Sequence, residues 1–363
     1  VALRKRPRTR LQFRVMPTDI TTASALESLL YGWQARVFGV PFWPDSQKIT
    51  QVTPTGTSVI YCDTTNRKFA PGGLVMLWRD FFTNEVATIA SVAAGSVTAT
   101  APLNNTWAAD GFTYAVPVLT GRWDGDASLG RLSPSASELD AAFQCDAFAD
   151  VAAAVLPQVY GYDVLEIEPN TAQDRATAYM RTVQLIDFST GKTKAIDRSG
   201  VPIGKAQGLL WTLGSRAEIA TYRAWLALRK GQQAAFWLPT WQHDLVQAAD
   251  VAAGSVNLVV QKTGYVKYQY GQAARRYLCF IMLDGSGTRY YRKVASATEG
   301  AITETIVLDS ALSSTKAITV GSCMISFLQL VRLSTDEPEL AWSSRDVAEV
   351  QLDSAEVPLE VNP

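Results

Sequence analysis

Histidine is almost absent: His243 is the single one in 363 residues. Multi-histidine metal sites are therefore excluded, and any histidine-dependent acid–base mechanism would rest on that one side chain. Cysteine is sparse too, with Cys62, Cys145, Cys279 and Cys323 lying 83, 134 and 44 positions apart and forming no Cys-x-x-Cys pair. Such spacing argues against a zinc or cluster framework. Cys62 and Cys279 sit inside apolar runs, where thiols pack as small hydrophobes, and reduced core cysteines are the expectation for all four. No apolar run reaches the ~18 residues of a membrane helix, and the first residues contain no apolar signal core. The chain therefore reads as neither exported by a visible signal nor membrane-embedded.

Charge of one sign is also lacking. Thirty-three basic side chains face 34 acidic ones for a net charge of −1, so the whole chain has no pull toward nucleic acid or an anionic membrane. The one local excess is Arg4, Lys5, Arg6, Arg8 and Arg10, which reads better as a solvated lead-in to an alternating strand (Leu11, Phe13, Val15) than as a phosphate-binding arm. No Gly-x-x-x-x-Gly-Lys-Ser/Thr loop, no Gly-x-Gly-x-x-Gly and no Gly-x-Ser-x-Gly elbow is present. Nucleotide binding and serine hydrolysis are not supported, and no cofactor is expected.

What the sequence does have is apolar and aromatic content, at 47% and 10%, and enough length for two or three domains with their own cores. It also has a resemblance to itself. Ser24-Ala25-Leu26-Glu27 and Ser215-Arg216-Ala217-Glu218 both read as Ser-x-x-Glu capping boxes opening a helix. Tyr31 and Tyr222 follow at an offset of 191, Trp33 and Trp225 at 192, and Phe42-Trp43 and Phe236-Trp237 at 194. Leu26, Leu29, Leu30 and Trp33 form an i, i+3, i+4, i+7 stripe, as Ile219, Tyr222, Trp225 and Leu226 do on the second helix. Gly39 and Gly231 are the expected helix stops.

After each helix the pattern turns to β. Strands are expected at Ser58–Cys62, Gly73–Trp78, Glu85–Val92, Ser96–Ala101 and Tyr114–Leu119, and again at Ser255–Gln261, Tyr277–Leu283, Arg289–Ala295, Glu304–Leu308 and Cys323–Leu330. Val183, Leu185 and Phe188 suggest a strand ahead of the second helix. The expected fold class is α+β, mainly β, with an internal duplication in which each copy is a strand-helix unit followed by a small antiparallel β-barrel or sandwich. The expected divisions are residues 1–45 and 46–169 for the first copy, then 170–240 and 241–363 for the second.

Three acidic features merit weighing. Asp124-Gly125-Asp126 lacks the downstream ligands of a calcium loop and reads as a turn. Glu166 and Glu168 alternate as on a solvated strand face, the competing reading being a glycosidase pair. His243 and Asp244 are adjacent, so on an extended chain they point to opposite faces. Catalytic and metal-binding residues are therefore not assigned, and an enzyme is not expected. The residues singled out are Trp33, Phe42, Trp43, Trp225, Phe236 and Trp237, read first as packing between helix unit and β module, then as an intersubunit contact, then as ligand platforms.

The stretch Leu210-Trp211-Thr212-Leu213-Gly214-Ser215-Arg216-Ala217-Glu218, the helix to Gly231, and Ala235-Phe236-Trp237-Leu238-Pro239 with Asp244 resemble tail-tip proteins of long-tailed bacteriophages, the distal tail and baseplate group. Phe42, Trp43, Pro44 and Asp45 give a weaker first copy, and Gly73–Trp78 with Glu85–Ala101 looks like the small β modules of such proteins. Distal tail proteins usually have one ring-forming and one peripheral domain, from which a duplicated layout departs. The resemblance implies a virion structural protein assembled in the host cytoplasm, a homo-oligomeric ring joining tail tube protein to hub, fibres or other baseplate proteins. It implies no catalysis and no nucleic-acid partner. The alternative is a carbohydrate-binding, receptor-recognition protein, which expects Trp43 and Trp237 exposed on a concave face; a glycan-cleaving enzyme comes third and needs two carboxylates across a cleft.

Overall fold

The computed structural model describes residues 9–33, 35–133, 136–146, 156–170, 176–181, 183–189, 191–197, 203–313 and 315–360. The chain is mainly β and divides into two units, both discontinuous in sequence. The first comprises Val1–Ala152, Leu213–Ala224 and Trp342–Ala348; the second comprises Ala153–Thr212, Trp225–Ala341 and Glu349–Pro363.

In the first unit the elements are β1 (Thr9–Val15), α1 (Ile20–Trp33), β2 (Val37–Pro41), β3 (Gln47–Lys48), β4 (Val59–Tyr61), β5 (Leu74–Trp78), β6 (Asn84–Ala93), β7 (Ser96–Ala99), β8 (Tyr114–Trp123), β9 (Leu129–Arg131) and β10 (Ser137–Cys145). They form one antiparallel sheet ordered β1-β10-β8-β5-β6-β7-β4, with β2 and β3 also on β8 and β9 on β10. Strand β6 serves two neighbours: Asn84–Thr88 pair with β5, and Ile89–Ala93 pair with β7 after a register shift between Ile89 and Ser91. A bulge there bends the sheet around the cluster of Ile49, Ile60, Val75, Leu77, Ile89 and Val97. On the long strand β8, one end pairs with β5 and the other with β2 and β10, where Leu26 and Leu30 of α1 pack on Val40, Leu119, Leu139 and Phe143.

The second unit holds β11 (Gln158–Val159), β12 (Tyr162–Asp163), β13 (Ala176–Met180), β14 (Val183–Asp187), β15 (Thr193–Asp197), β16 (Ile203–Leu213) and then α2 (Arg216–Arg229), whose first half groups with the first unit. There follow β17 (Phe236–Pro239), β18 (Asn257–Gln261), the single turn α3 (Tyr265–Tyr268), β19 (Tyr277–Met282), β20 (Arg289–Glu299), β21 (Thr303–Leu308), β22 (Cys323–Leu333), β23 (Leu340–Trp342) and β24 (Ala348–Glu356). Their sheet runs β13-β16-β24-β22-β19-β20-β21-β18, with β17 on β22 and β23 on β24. Strand β20 also changes partner, at a register shift between Val294 and Ser296. Leu258, Val260, Leu278, Phe280, Ile306 and Ile325 belong to one buried core cluster of this unit.

All ten strands expected after the helices are present, with ends shifted by a few residues. Several local expectations are corrected. Ser24 lies inside α1; the cap is Asp19, whose Oδ1 accepts from the Thr22 amide at 2.8 Å. A carboxylate takes the orphan amide of the first turn, so the Ser24 hydroxyl has no cap to make. Ser215 does cap α2, accepting from the Glu218 amide at 3.2 Å, while Glu218 reaches back to the Gly214 amide at 2.9 Å. With Asp19 and Ser215 as the true caps, Tyr31 and Tyr222 are not counterparts, and they differ in burial: Tyr31 is 96% exposed and Tyr222 fully buried. Gly39 stops no helix but lies in β2. Gly231 does follow α2 at φ +68°, and a Cβ there would overlap the Asp336 carboxylate, which accepts the Gln232 amide. Val183 and Leu185 belong to the hairpin β14–β15 and are exposed with neighbouring Phe188; the strand entering α2 is β16.

The Phe-Trp pairs occupy different places. In β2, Pro41 faces Val118 of β8, and Phe42-Trp43 come after the strand; in β17, Pro239 faces Leu328 of β22, and Phe236-Trp237 lie inside the strand. By register the shared pattern is Phe-x-x-Pro-x-Trp, Phe38 to Trp43 and Phe236 to Trp241. The Phe-Trp pairs at an offset of 194 therefore do not hold equivalent places, because adjacent aromatics point to opposite faces of a strand.

Trp225 is fully buried with its ring edge-on to Phe236 at 5.0 Å. Trp225→Ala is expected to destabilise the protein by about 3–5 kcal/mol in urea unfolding. An unchanged midpoint would remove Trp225 from the packing set.

Candidate functional site

The first unit buries a carboxylate completely. Asp45 closes the short 3-10 turn Trp43–Asp45 that follows β2, and its proline fixes the backbone angle at that turn. Burying an ionised carboxylate demands both counter-charge and hydrogen bonds. Asp45 Oδ1 accepts from Arg216 Nη1 at 2.6 Å, Oδ2 accepts from the Lys68 amide at 2.6 Å, and Arg223 Nη1 stands 3.7 Å from Oδ2. Arg216 also donates to the Pro44 carbonyl and, through Nε, to Asp346 at 3.2 Å. Arg216 and Arg223 are seven residues apart on α2, two turns along one helix face, so both guanidinium groups reach the same acid.

Aromatic rings complete the enclosure. Phe42 is 5% exposed and lies under the Lys68 ammonium at 4.5 Å and the Arg223 guanidinium at 5.3 Å, while Trp342 meets Phe42 edge-on at 5.9 Å and Arg216 at 5.3 Å. Cations over ring faces are attracted by the quadrupole, more strongly where water is excluded. Burial lowers the Lys68 pKa from 10.5 to about 8, aided by the Arg223 charge and opposed by Asp45. Arg223 is likewise lowered by burial. The contacts of the cluster make it a salt-bridged lock on the first half of α2.

The singled-out residues do not converge. Phe42 belongs to the Asp45 cluster, and Trp43 is half-buried, edge-on to Trp78 at 5.1 Å. In the second unit Trp225 and Phe236 pack together with Arg229, while Trp237 faces Tyr162 and Tyr277 and donates from Nε1 to the Val159 carbonyl at 2.8 Å. Trp237 is 1% exposed, so it is no sugar platform. Trp33 ends α1, but its side chain lies outside the described residues, as does the basic run Arg4–Arg8.

The acidic candidates are also accounted for. Asp124 pairs with Arg10 at 2.7 Å, and Glu166, outside any strand, accepts from the Tyr291 hydroxyl while Glu168 is exposed. His243 is exposed, whereas Asp244 Oδ2 accepts from the Phe327 amide at 2.7 Å and from the Thr240 hydroxyl, with burial raising its pKa. All four cysteines are buried and free, and burial pushes Cys62 and Cys279 up to about 12 and Cys145 and Cys323 up to about 11. Among the described residues no three His, Cys, Asp or Glu side chains gather as metal ligands. Asp45 stands in the aromatic-proline-acid turn but was not singled out there, nor were Lys68 and Arg223; the seven-residue spacing of Arg216 and Arg223 is the one sequence signal of a shared partner.

Asp45→Ala is expected to cost about 3–5 kcal/mol, because it leaves buried guanidinium charge without its carboxylate. A loss below about 1 kcal/mol in urea unfolding would make the cluster incidental. The pH dependence has a defined sign. Between pH 8 and 10.5 the unfolded chain holds the Lys68 proton that the folded chain has released, so stability rises with pH across that window. Lys68→Met should flatten this rise relative to the unaltered chain, and parallel profiles for the two would refute the assignment.

Neither models of known protein families nor curated protein sequences give a match to this chain.

Proposed function

We propose that this chain is a structural protein of the bacteriophage tail tip, an internally duplicated member of the distal tail and baseplate group that forms a ring between tail tube and hub or fibres. The observation that carries the reading is the agreement of the two sheets. β1-β10-β8-β5-β6-β7-β4 and β16-β24-β22-β19-β20-β21-β18 are the same order when each strand is matched to the one at the same place in its own half. The supporting details are independent of one another: a capped helix after the first strand, Phe-x-x-Pro-x-Trp at its exit, a bulge where β6 and β20 change partner, and a short strand hung on β10 or β24.

One difference bears on assembly. β16 is flanked by β24 and by β13, whereas β1 among the described residues pairs with β10 alone. An open strand edge is a template for another chain, and a partner that is not its own mirror produces the head-to-tail contacts from which rings close. Leu11, Phe13 and Val15 of this edge strand are only half-buried, which leaves apolar surface for a neighbour to cover. The proposed partners are further copies of the chain, the tail tube protein and the hub; the proposed place is the virion, after assembly in the host cytoplasm.

Light scattering with negative-stain imaging of the purified chain is expected to find a closed ring whose mass is a whole multiple of the protomer. A protein that stays monomeric both alone and with tail tubes added would overturn the reading.

A further inference from the structure

The tip of the β5–β6 hairpin holds two phenylalanines in water. Phe81 and Phe82 are 43% and 63% exposed and stand edge to face at 5.1 Å. The tip is fixed: Asp80 Oδ1 accepts from the Phe82 and Thr83 amides at 2.9 and 2.7 Å, and Asn84 Nδ2 donates to the Phe81 carbonyl at 2.9 Å. Beside it lies a cleft of about 350 Å³ lined by Arg79, Phe82, Asn84, Asn105, Thr106 and the buried Trp107.

The loop after β7, which also lines the cleft, is held as firmly. Glu85 takes five hydrogen bonds from the loop after β7: the Asn104 amide at 2.6 Å and its Nδ2 at 3.1 Å, the Asn105 amide and Nδ2 at 3.2 Å each, and Trp107 Nε1 at 3.1 Å. Burial works to raise the Glu85 pKa, but these donors outweigh it and hold the carboxyl below its ordinary range. With its amide nitrogen spent on Glu85, Asn105 keeps a carbonyl oxygen to accept from a ligand, and Thr106, which accepts from the Thr55 amide at 3.1 Å, keeps a hydroxyl proton to donate. Arg79 is paired with Asp110 at 3.0 Å, so the cleft has polar donors without a net cation aimed at an anion.

We propose that this cleft is a saccharide site, in which a neutral hexose stacks on the Phe82 ring and its hydroxyl groups bond to Asn105, Thr106 and Arg79. Sugars present an apolar C–H face and a rim of hydroxyl groups that both donate and accept. A rigid exposed ring beside neutral amide and hydroxyl groups matches both halves of that chemistry. The cleft volume fits one or two sugar rings. The corresponding turn between β19 and β20, Leu283–Thr288, contains no aromatic residue, which makes the site a property of the first unit alone. This inference does not depend on ring assembly.

The test uses the full chain and saturation-transfer NMR with maltose, cellobiose and N,N′-diacetylchitobiose. At least one sugar is expected to bind. Phe82→Ala should weaken it by about tenfold or more, Phe82→Tyr should retain it, and Tyr268→Ala, which removes an exposed ring of the second unit, should leave it unchanged. No transfer to any of the three sugars, or equal binding by Phe82→Ala, overturns the proposal. A Phe82→Ala protein that keeps sugar binding but loses assembled mass would assign the pair to a protein contact instead and also overturns it. A monomer whose sugar binding depends on Phe82 supports the saccharide site while defeating only the ring.

Discussion

A carboxylate withdrawn from water must find its counter-charge within the fold, and Asp45 finds it 171 residues further along the chain in Arg216. Desolvation would cost several kcal/mol if the charge stood alone. The pair therefore constrains far more than two side chains. It fixes where the first half of α2 lies in the first unit, it sets the short turn after β2, and it brings in Asp346, which Arg67 also approaches at 3.8 Å. Phe42 and Trp342 keep water out, so the attraction is felt at low dielectric.

The two sheets rest on a different constraint, the twofold use of β8 and β22. The ends of β8 serve different neighbours, β5 along Tyr114–Val118 and β2 and β10 along Val118–Trp123, and β22 likewise pairs with β19 along Cys323–Phe327 and with β17 and β24 along Leu328–Leu333. Strand β22 is buried at nearly every position, as a strand covered on both faces must be. Such strands read as predominantly apolar runs, and Cys323–Leu333 does, with Ser326, Gln329 and Arg332 as its polar positions.

Much of the β content was legible because short apolar runs between Gly, Asn and Asp turns carry a strong local signal; the ten strands β4–β8 and β18–β22 were found that way. Helix starts were less legible. Ser24-x-x-Glu27 satisfies the pattern of a cap, but Asp19 satisfies the amides first, and local motifs cannot say which of two competing acceptors is used. The Phe-Trp alignment failed for a related reason: identity of adjacent residues is weak evidence where the side-chain period is two. The final strands β10 and β24 were hidden because their pairing with β1 and β16 spans more than a hundred positions, and only register reveals it. In the Asp45 cluster only Phe42 was singled out beforehand; the acid and its partners are brought together by tertiary packing.

The discontinuity of the first unit has a temporal side. Its last segment is Trp342–Ala348, so almost the entire chain must leave the ribosome before that unit has all its parts. The segment up to Ala152 emerges early with its sheet but without Arg216, Arg223 and Trp342, and Asp45 must then stay in contact with water until they arrive. Long-range closure of this kind slows folding and exposes unfinished surface in the interval. The same arrangement protects the finished molecule, since no single cut separates either unit as an intact piece.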